Sequence, residues 1–272
     1  MVKIFTNKNP PMRGWQAWLL KSMGAVLLGI ALFSLFALML IFLLPGIENN
    51  LIQKANDEYA PRMVPVLLAY EPELSTLTYD NTKSYCRSKP PGVSMELGGI
   101  NDEYVCSLIE NNYVSNTDEL QLRLARELIS NKIDEIMAIY GPELASIHSK
   151  LPIMLIVFVL SLFLAFPLLY FGSQNLVELS FNISALTAVF SFMILTLSAL
   201  AFFILPSQII SYAKASASSP LYVDLITIGQ DLISEAIGEL FLPPIIIFGF
   251  LSVISGLAAA AFFYYLAKLK YG

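Results

Sequence analysis

Three sets of side chains in this sequence have the types and spacing to do chemistry or direct assembly. Cys86 and Cys106 are the only two cysteines among 272 residues. Two thiols can close a disulfide, and a loop of about 20 residues gains roughly 3 kcal/mol from closure in the chain-entropy account. Structural zinc takes four ligands, and the single histidine, His148, is far along the chain from both cysteines. A Cys86–Cys106 disulfide is therefore expected, and it calls for an oxidising compartment.

The second set is made of hydroxyls. Ser180, Ser184, Thr187, Ser191 and Ser198 follow one another at steps of four, three, four and seven, which places them on one helical face. Such a face can join helices through hydrogen bonds, or wet one wall of a pore between copies of the chain. Asn182, close by, needs a partner of its own in apolar surroundings. The third set is small. Ser252, Gly256 and Ala260 recur every four residues and let another helix approach closely; Ala25 and Gly29 make a weaker version.

Catalytic patterns are missing from the sequence. It has no phosphate-binding P-loop, no HExxH, no GxSxG and no dinucleotide fingerprint. The acid pairs Asp102-Glu103 and Asp134-Glu135 lack calcium-loop spacing. The expectation is a protein that is not an enzyme and holds no cofactor or metal.

The elements that must carry these residues are apolar. The chain is 56% hydrophobic and 14% charged, with a mean hydropathy of +0.66. Four stretches without Asp, Glu, Lys, Arg or His, at 22–44, 151–171, 179–205 and 240–267, are long enough to cross a hydrocarbon core of about 30 Å. The first is too long for a signal-peptide core and reads as an uncleaved anchor. The fold class expected is an all-α integral membrane protein with four transmembrane helices. A mainly helical, disulfide-pinned ectodomain at 45–150 lies between the first two. A short link at 172–178 joins the second and third spans, and a loop at 206–239 joins the third and fourth.

Charge sets the orientation. The loops 45–150 and 206–239 hold 20 of the 21 acidic residues and 10 of the 16 basic ones. The N-terminal segment 1–21 carries Lys3, Lys8, Arg13 and Lys21, and the tail 268–272 carries Lys268 and Lys270, with no acid in either. Both termini are then cytoplasmic and both large loops outside, in a multi-pass cell-membrane protein. Trp15 and Trp18 suit an interfacial belt. Glu178 is expected as a solvated first-turn acid. An acidic exterior disfavours nucleic acid as a partner.

Local patterns complete the reading. Asn116 with Glu119 resembles a capping box. A stripe follows at Leu122, Ala125, Ile129, Ile133, Ile136, Tyr140, Leu144 and Ile147, with a break or kink expected at Gly141-Pro142. Ile47, Leu51, Ala55 and Tyr59 form a second stripe, expected to pack on the first, with packing of the stripes against another protomer as the alternative. The stretch 61–114 reads as irregular with a few short strands. The sequence 207–220 reads as a small-residue linker before an amphipathic helix with Leu221, Leu225, Ile228, Leu232 and Leu240 near one face, and Pro243-Pro244 as the turn into the fourth span.

The order of one span, a large loop and three spans is similar to division- and lipoprotein-type ABC permease subunits and to claudin-like four-span families. The short second link and a first loop without tryptophan depart from both, so no family follows. The function expected is a non-catalytic structural or accessory subunit in the lipid bilayer, assembling with itself or other membrane proteins. The alternative is a homo-oligomeric channel lined by the third-span hydroxyls.

Overall fold

A computed structural model describes residues 14–70, 77–88, 100–217 and 220–271. Eight α-helices and one π-helical turn occur among them, and no strand. They are α1 (Gly14–Lys54), the π-turn (Ala55–Tyr59), α2 (Ala60–Tyr70), α3 (Tyr79–Ser88), α4 (Asp102–Glu110), α5 (Thr117–Ser149), α6 (Leu151–Gly172), α7 (Leu176–Ser216) and α8 (Pro220–Tyr271). Four segments are long and apolar enough to cross a membrane: Gly14–Ile47, Leu151–Gly172, Leu176–Ser216 and Val223–Lys268. The chain divides into two compact units. One is Met1–Leu44, Ser146–Ile204 and Gly238–Gly272; the other is Pro45–Ala145 and Leu205–Ile237.

The first unit is built from the apolar helices. Leu28 of α1 packs with Ala165 and Leu169 of α6, and Leu32 of α1 packs with Ile194 of α7 and Phe248 of α8. Phe36 meets the Phe248 ring edge-on, with centroids 6.1 Å apart. Close approach depends on glycine. A Cβ on Gly24 would lie 2.7 Å from Leu169, and one on Gly172 would lie 2.8 Å from Lys21 Cγ and 3.2 Å from the Ala17 carbonyl. In apolar surroundings, packing rather than the hydrophobic effect joins helices, and contacts this close supply it.

The second unit has an apolar centre around the disulfide. Cys86 of α3 and Cys106 of α4 are bonded and buried. Val105, Leu108 and Ile109 of α4, Val114, and Leu120 and Leu124 of α5 surround them. Local chemistry sets each end. Asn101 caps α4 by accepting from the Tyr104 N–H (2.8 Å). At the other end Asn112 adopts φ 55°, and the Tyr113 N–H reaches back to the Leu108 carbonyl (2.9 Å), closing a Schellman turn. Asn116 Oδ1 accepts from the Glu119 N–H (2.8 Å), while the Glu119 carboxylate accepts from the N–H and hydroxyl of Ser115 (2.7 and 2.8 Å). The expected capping box is present, with the reciprocal bond shifted one residue outward.

Several sequence expectations are corrected. The described part of 61–114 is helical, not strand-bearing, because Asn101 and the Schellman turn delimit short helices that the disulfide staples. Helix α5 runs unbroken through Gly141-Pro142, and α8 runs through Pro243-Pro244 with no turn. The expected linker is mostly the end of α7, which continues through Pro206 to Ser216. In α5 the buried line is Leu120–Leu124, with Ala125 beside it, while Leu122 is half-buried and Ile147 exposed. The disulfide cluster selects that line. Of the second stripe, Ile47, Ala55 and Tyr59 are buried. The side chains of Leu51, Ile129, Ile133, Ile136, Tyr140, Leu144, His148 and Leu221 lie outside the described residues, as do Lys3, Lys8 and Arg13.

Two outcomes test this account. Gly172→Val forces a side chain against the α1 backbone and should cost about 1–3 kcal/mol by overpacking. Gly256→Val, where no atom lies within 4 Å of an added Cβ, should leave thermal unfolding of the purified chain unchanged. The two Ser115 bonds hold the Glu119 carboxyl below its ordinary range. A depressed carboxyl contributes stability above its unfolded pKa and loses it as pH falls through the folded one. The melting difference between the native chain and Glu119→Gln should therefore be present at about pH 7 and vanish at about pH 3; a difference independent of pH would contradict it.

Candidate functional site

The hydroxyl line of α7 lies within the first unit. Its members are placed unequally. Ser180, Ser184 and Thr187 are half-buried, whereas Ser191 and Ser198 are completely enclosed, with Ile194 between them also at 0% exposure. The most deeply buried line of α7 is thus hydroxyl, methyl, hydroxyl. The hydroxyl oxygens of Ser191 and Ser198 have no hydrogen-bond partner among the described residues. A buried hydroxyl left unpaired costs about 1–3 kcal/mol, so alanine would serve packing better at either place.

The small-residue set on α8 is split. Ser252 faces α7 and its hydroxyl donates to the Ala188 carbonyl over a long 3.4 Å. Gly256 has open space around it and Ala260 is exposed. Their neighbours Val253 (62%), Leu257 (69%) and Phe263 (62%) are exposed too. In its own unit α8 packs through Phe248 on Leu32 and Ile194, and the Phe263 ring lies 6.0 Å from that of Phe181 of α7. The side of α8 that carries Val253, Gly256, Leu257 and Ala260 is left uncovered.

Polar groups secure one end of this unit. The Lys21 ammonium pairs with the Glu178 carboxylate. The other Glu178 oxygen accepts from the Gln174 N–H (2.7 Å), and Asn175 caps α7 by accepting from the Glu178 N–H (2.8 Å). Glu178 is a first-turn acid as expected, but it is paired rather than simply solvated. Asn182 donates to the Ser173 hydroxyl (3.1 Å), which donates onward to the Leu169 carbonyl (2.7 Å). That supplies the partner Asn182 required.

The second unit holds a separate polar group at the π-turn. Lys54 pairs with Glu235, and Arg62 lies over the Tyr59 ring, 5.4 Å from its centroid. Burial, then the carboxylates of Glu58, Asp231 and Glu235, hold the Tyr59 phenol above its ordinary range. Burial and a hydrogen bond to Glu127 do the same for Tyr104. A π-turn widens the helix by one residue, which lets consecutive residues Tyr59 and Ala60 both be buried. No sequence signal marked this turn. Among the described residues no group of three His, Cys, Asp or Glu side chains is placed to hold a metal ion.

No family model, curated protein or solved structure matches this chain. The geometry itself carries the functional argument.

If Ser191 and Ser198 are unpaired as described, Ser191→Ala and Ser198→Ala should each leave the thermal stability of the purified chain unchanged or raise it, by up to about 1 kcal/mol. A clear loss in either variant would show that the hydroxyl has a partner.

Proposed function

We propose that the chain is a four-span membrane protein and a non-catalytic structural or accessory subunit, assembling with itself or with other membrane proteins through its exposed helical faces. The observation that carries this reading is the uncovered face of α8. Gly256 and Ala260 provide room for a close helix approach, and Val253 and Leu257 beside them are largely exposed. Apolar surface this extensive on four helices suits a hydrocarbon surrounding, and a small-residue centre within it suits a second helix.

The orientation follows the charge. Basic termini face the cytoplasm, and 45–150 and 206–239 face outward. The Cys86–Cys106 bond supports that side, because oxidising compartments preserve disulfides. A pore between copies draws no support from Ser191 and Ser198, since their enclosure within one chain keeps them from a surface that copies could share.

The test is the mass and composition of the assembly extracted under mild conditions from its native membrane. A complex containing further copies or other membrane proteins is expected, weakened by Gly256→Leu without loss of the folded chain. A lone chain in every preparation would overturn the assembly role.

A further inference from the structure

An open-sided apolar groove lies in the first unit. Residues of α1 between Val26 and Ala37, Gly29, Phe33 and Ser34 among them, line it with Met154 of α6 and Phe190 of α7, and its volume is about 430 Å³. Gly29 is what admits the Phe190 ring, since a Cβ there would sit 2.7 Å from Phe190 Cζ. No charged side chain lines the groove.

We propose that this groove seats one acyl chain of a membrane phospholipid; the inference rests on the membrane-crossing part of the reading above. Its dimensions select the occupant. Val26 to Ala37 is eleven helical steps, about 17 Å at 1.5 Å per residue. That is about half of a hydrocarbon core of about 30 Å, the depth of one leaflet. A volume of 430 Å³ spread over that length leaves a mean width of about 5 Å. A helix is about 10 Å across, too wide to enter the groove, and would only lie over its mouth. A polymethylene chain, at ordinary carbon contact distances of about 4 Å, fits in width. The absence of lining charge means that the groove takes the chain and leaves the headgroup to the interface. Met154 is an adaptable side chain suited to an irregular apolar ligand.

The experiment uses the full chain in phosphatidylcholine vesicles containing a small fraction of phosphatidylcholine with a photoactivatable diazirine on one acyl chain. Labelled residues are located by mass spectrometry after digestion. Label is expected on 26–37 and Met154 at several-fold the density found on the more exposed α8 residues Phe250 and Ile254, which lie off the Gly256 face. Ala37→Trp, which fills the groove, should remove that excess and leave the α8 labelling unchanged. Equal labelling of both faces in the native chain would overturn the proposal, because the groove would then meet only ordinary boundary lipid. So would an unlabelled groove beside a labelled α8, the sign that another helix covers it. No labelling at any position would overturn the membrane reading along with the groove. If Ala37→Trp fails to fold, the distribution on the native chain decides alone.

Discussion

Backbone hydrogen bonding is the constraint from which most of this structure follows. In an apolar medium each unpaired N–H or C=O costs several kcal/mol, so a chain crossing it stays helical. On the membrane reading that accounts for Pro167, Pro243 and Pro244, which lie in the apolar stretches 151–171 and 240–267. Pro45, Pro167, Pro206, Pro243 and Pro244 all lie inside continuous helices. Each removes one donor and crowds the carbonyl four residues back, at about 3 kcal/mol in an aqueous helix. Ending the helix instead would free up to four N–H and four C=O groups at the new ends. Continuing is the smaller loss, and enclosing Pro244 among neighbours limits it further.

Once every helix is internally satisfied, little remains to draw one to another except contact. The first unit therefore relies on where side chains are missing. Gly24 lets Leu169 in, Gly29 admits Phe190, and Gly172 lies against the α1 backbone. Polar bonds close the same end, with Lys21 on Glu178 and Asn182 on Ser173. The second unit uses different physics. Its small centre is held by apolar burial and by a disulfide joining residues 20 apart, whose loop closure contributes about 3 kcal/mol in the chain-entropy account.

This difference also explains what could be read from the sequence. Composition alone exposed the four apolar helices, since runs without charge allow few alternatives. The disulfide was legible because only one pairing of two cysteines exists, and Asn116 with Glu119 was legible because a cap is local. Treating proline as it behaves in water accounts for the error at Pro243-Pro244 but not for the one at Gly141-Pro142, which lies outside the apolar segments. Gly141-Pro142 and Pro243-Pro244 were expected to bend or end helices that continue. In α5, apolar residues at 120, 122, 124, 125 and 128 fit two windings, and only the position of Cys86 and Cys106 decides between them. The close-contact glycines were hidden for a related reason. Gly24 meets a residue 145 positions away, and nothing in its own neighbourhood records that partner.

The hydroxyl line shows where pattern and placement part. Steps of three and four put Ser180 to Ser198 on one face, and sequence permits either packing or a wet wall. Placement separates them by depth: the half-buried members Ser180, Ser184 and Thr187 lie toward the start of α7, and Ser191 and Ser198, enclosed and without a hydrogen-bond partner among the described residues, lie near its middle. A hydroxyl at the packed centre costs more than the alanine it replaces. A face that merely cements helices would place its hydroxyls where carbonyls of a neighbour can accept them, as Ser252 does with Ala188. Periodicity therefore groups these residues correctly while saying nothing about which of them are satisfied, because satisfaction depends on helices distant in sequence.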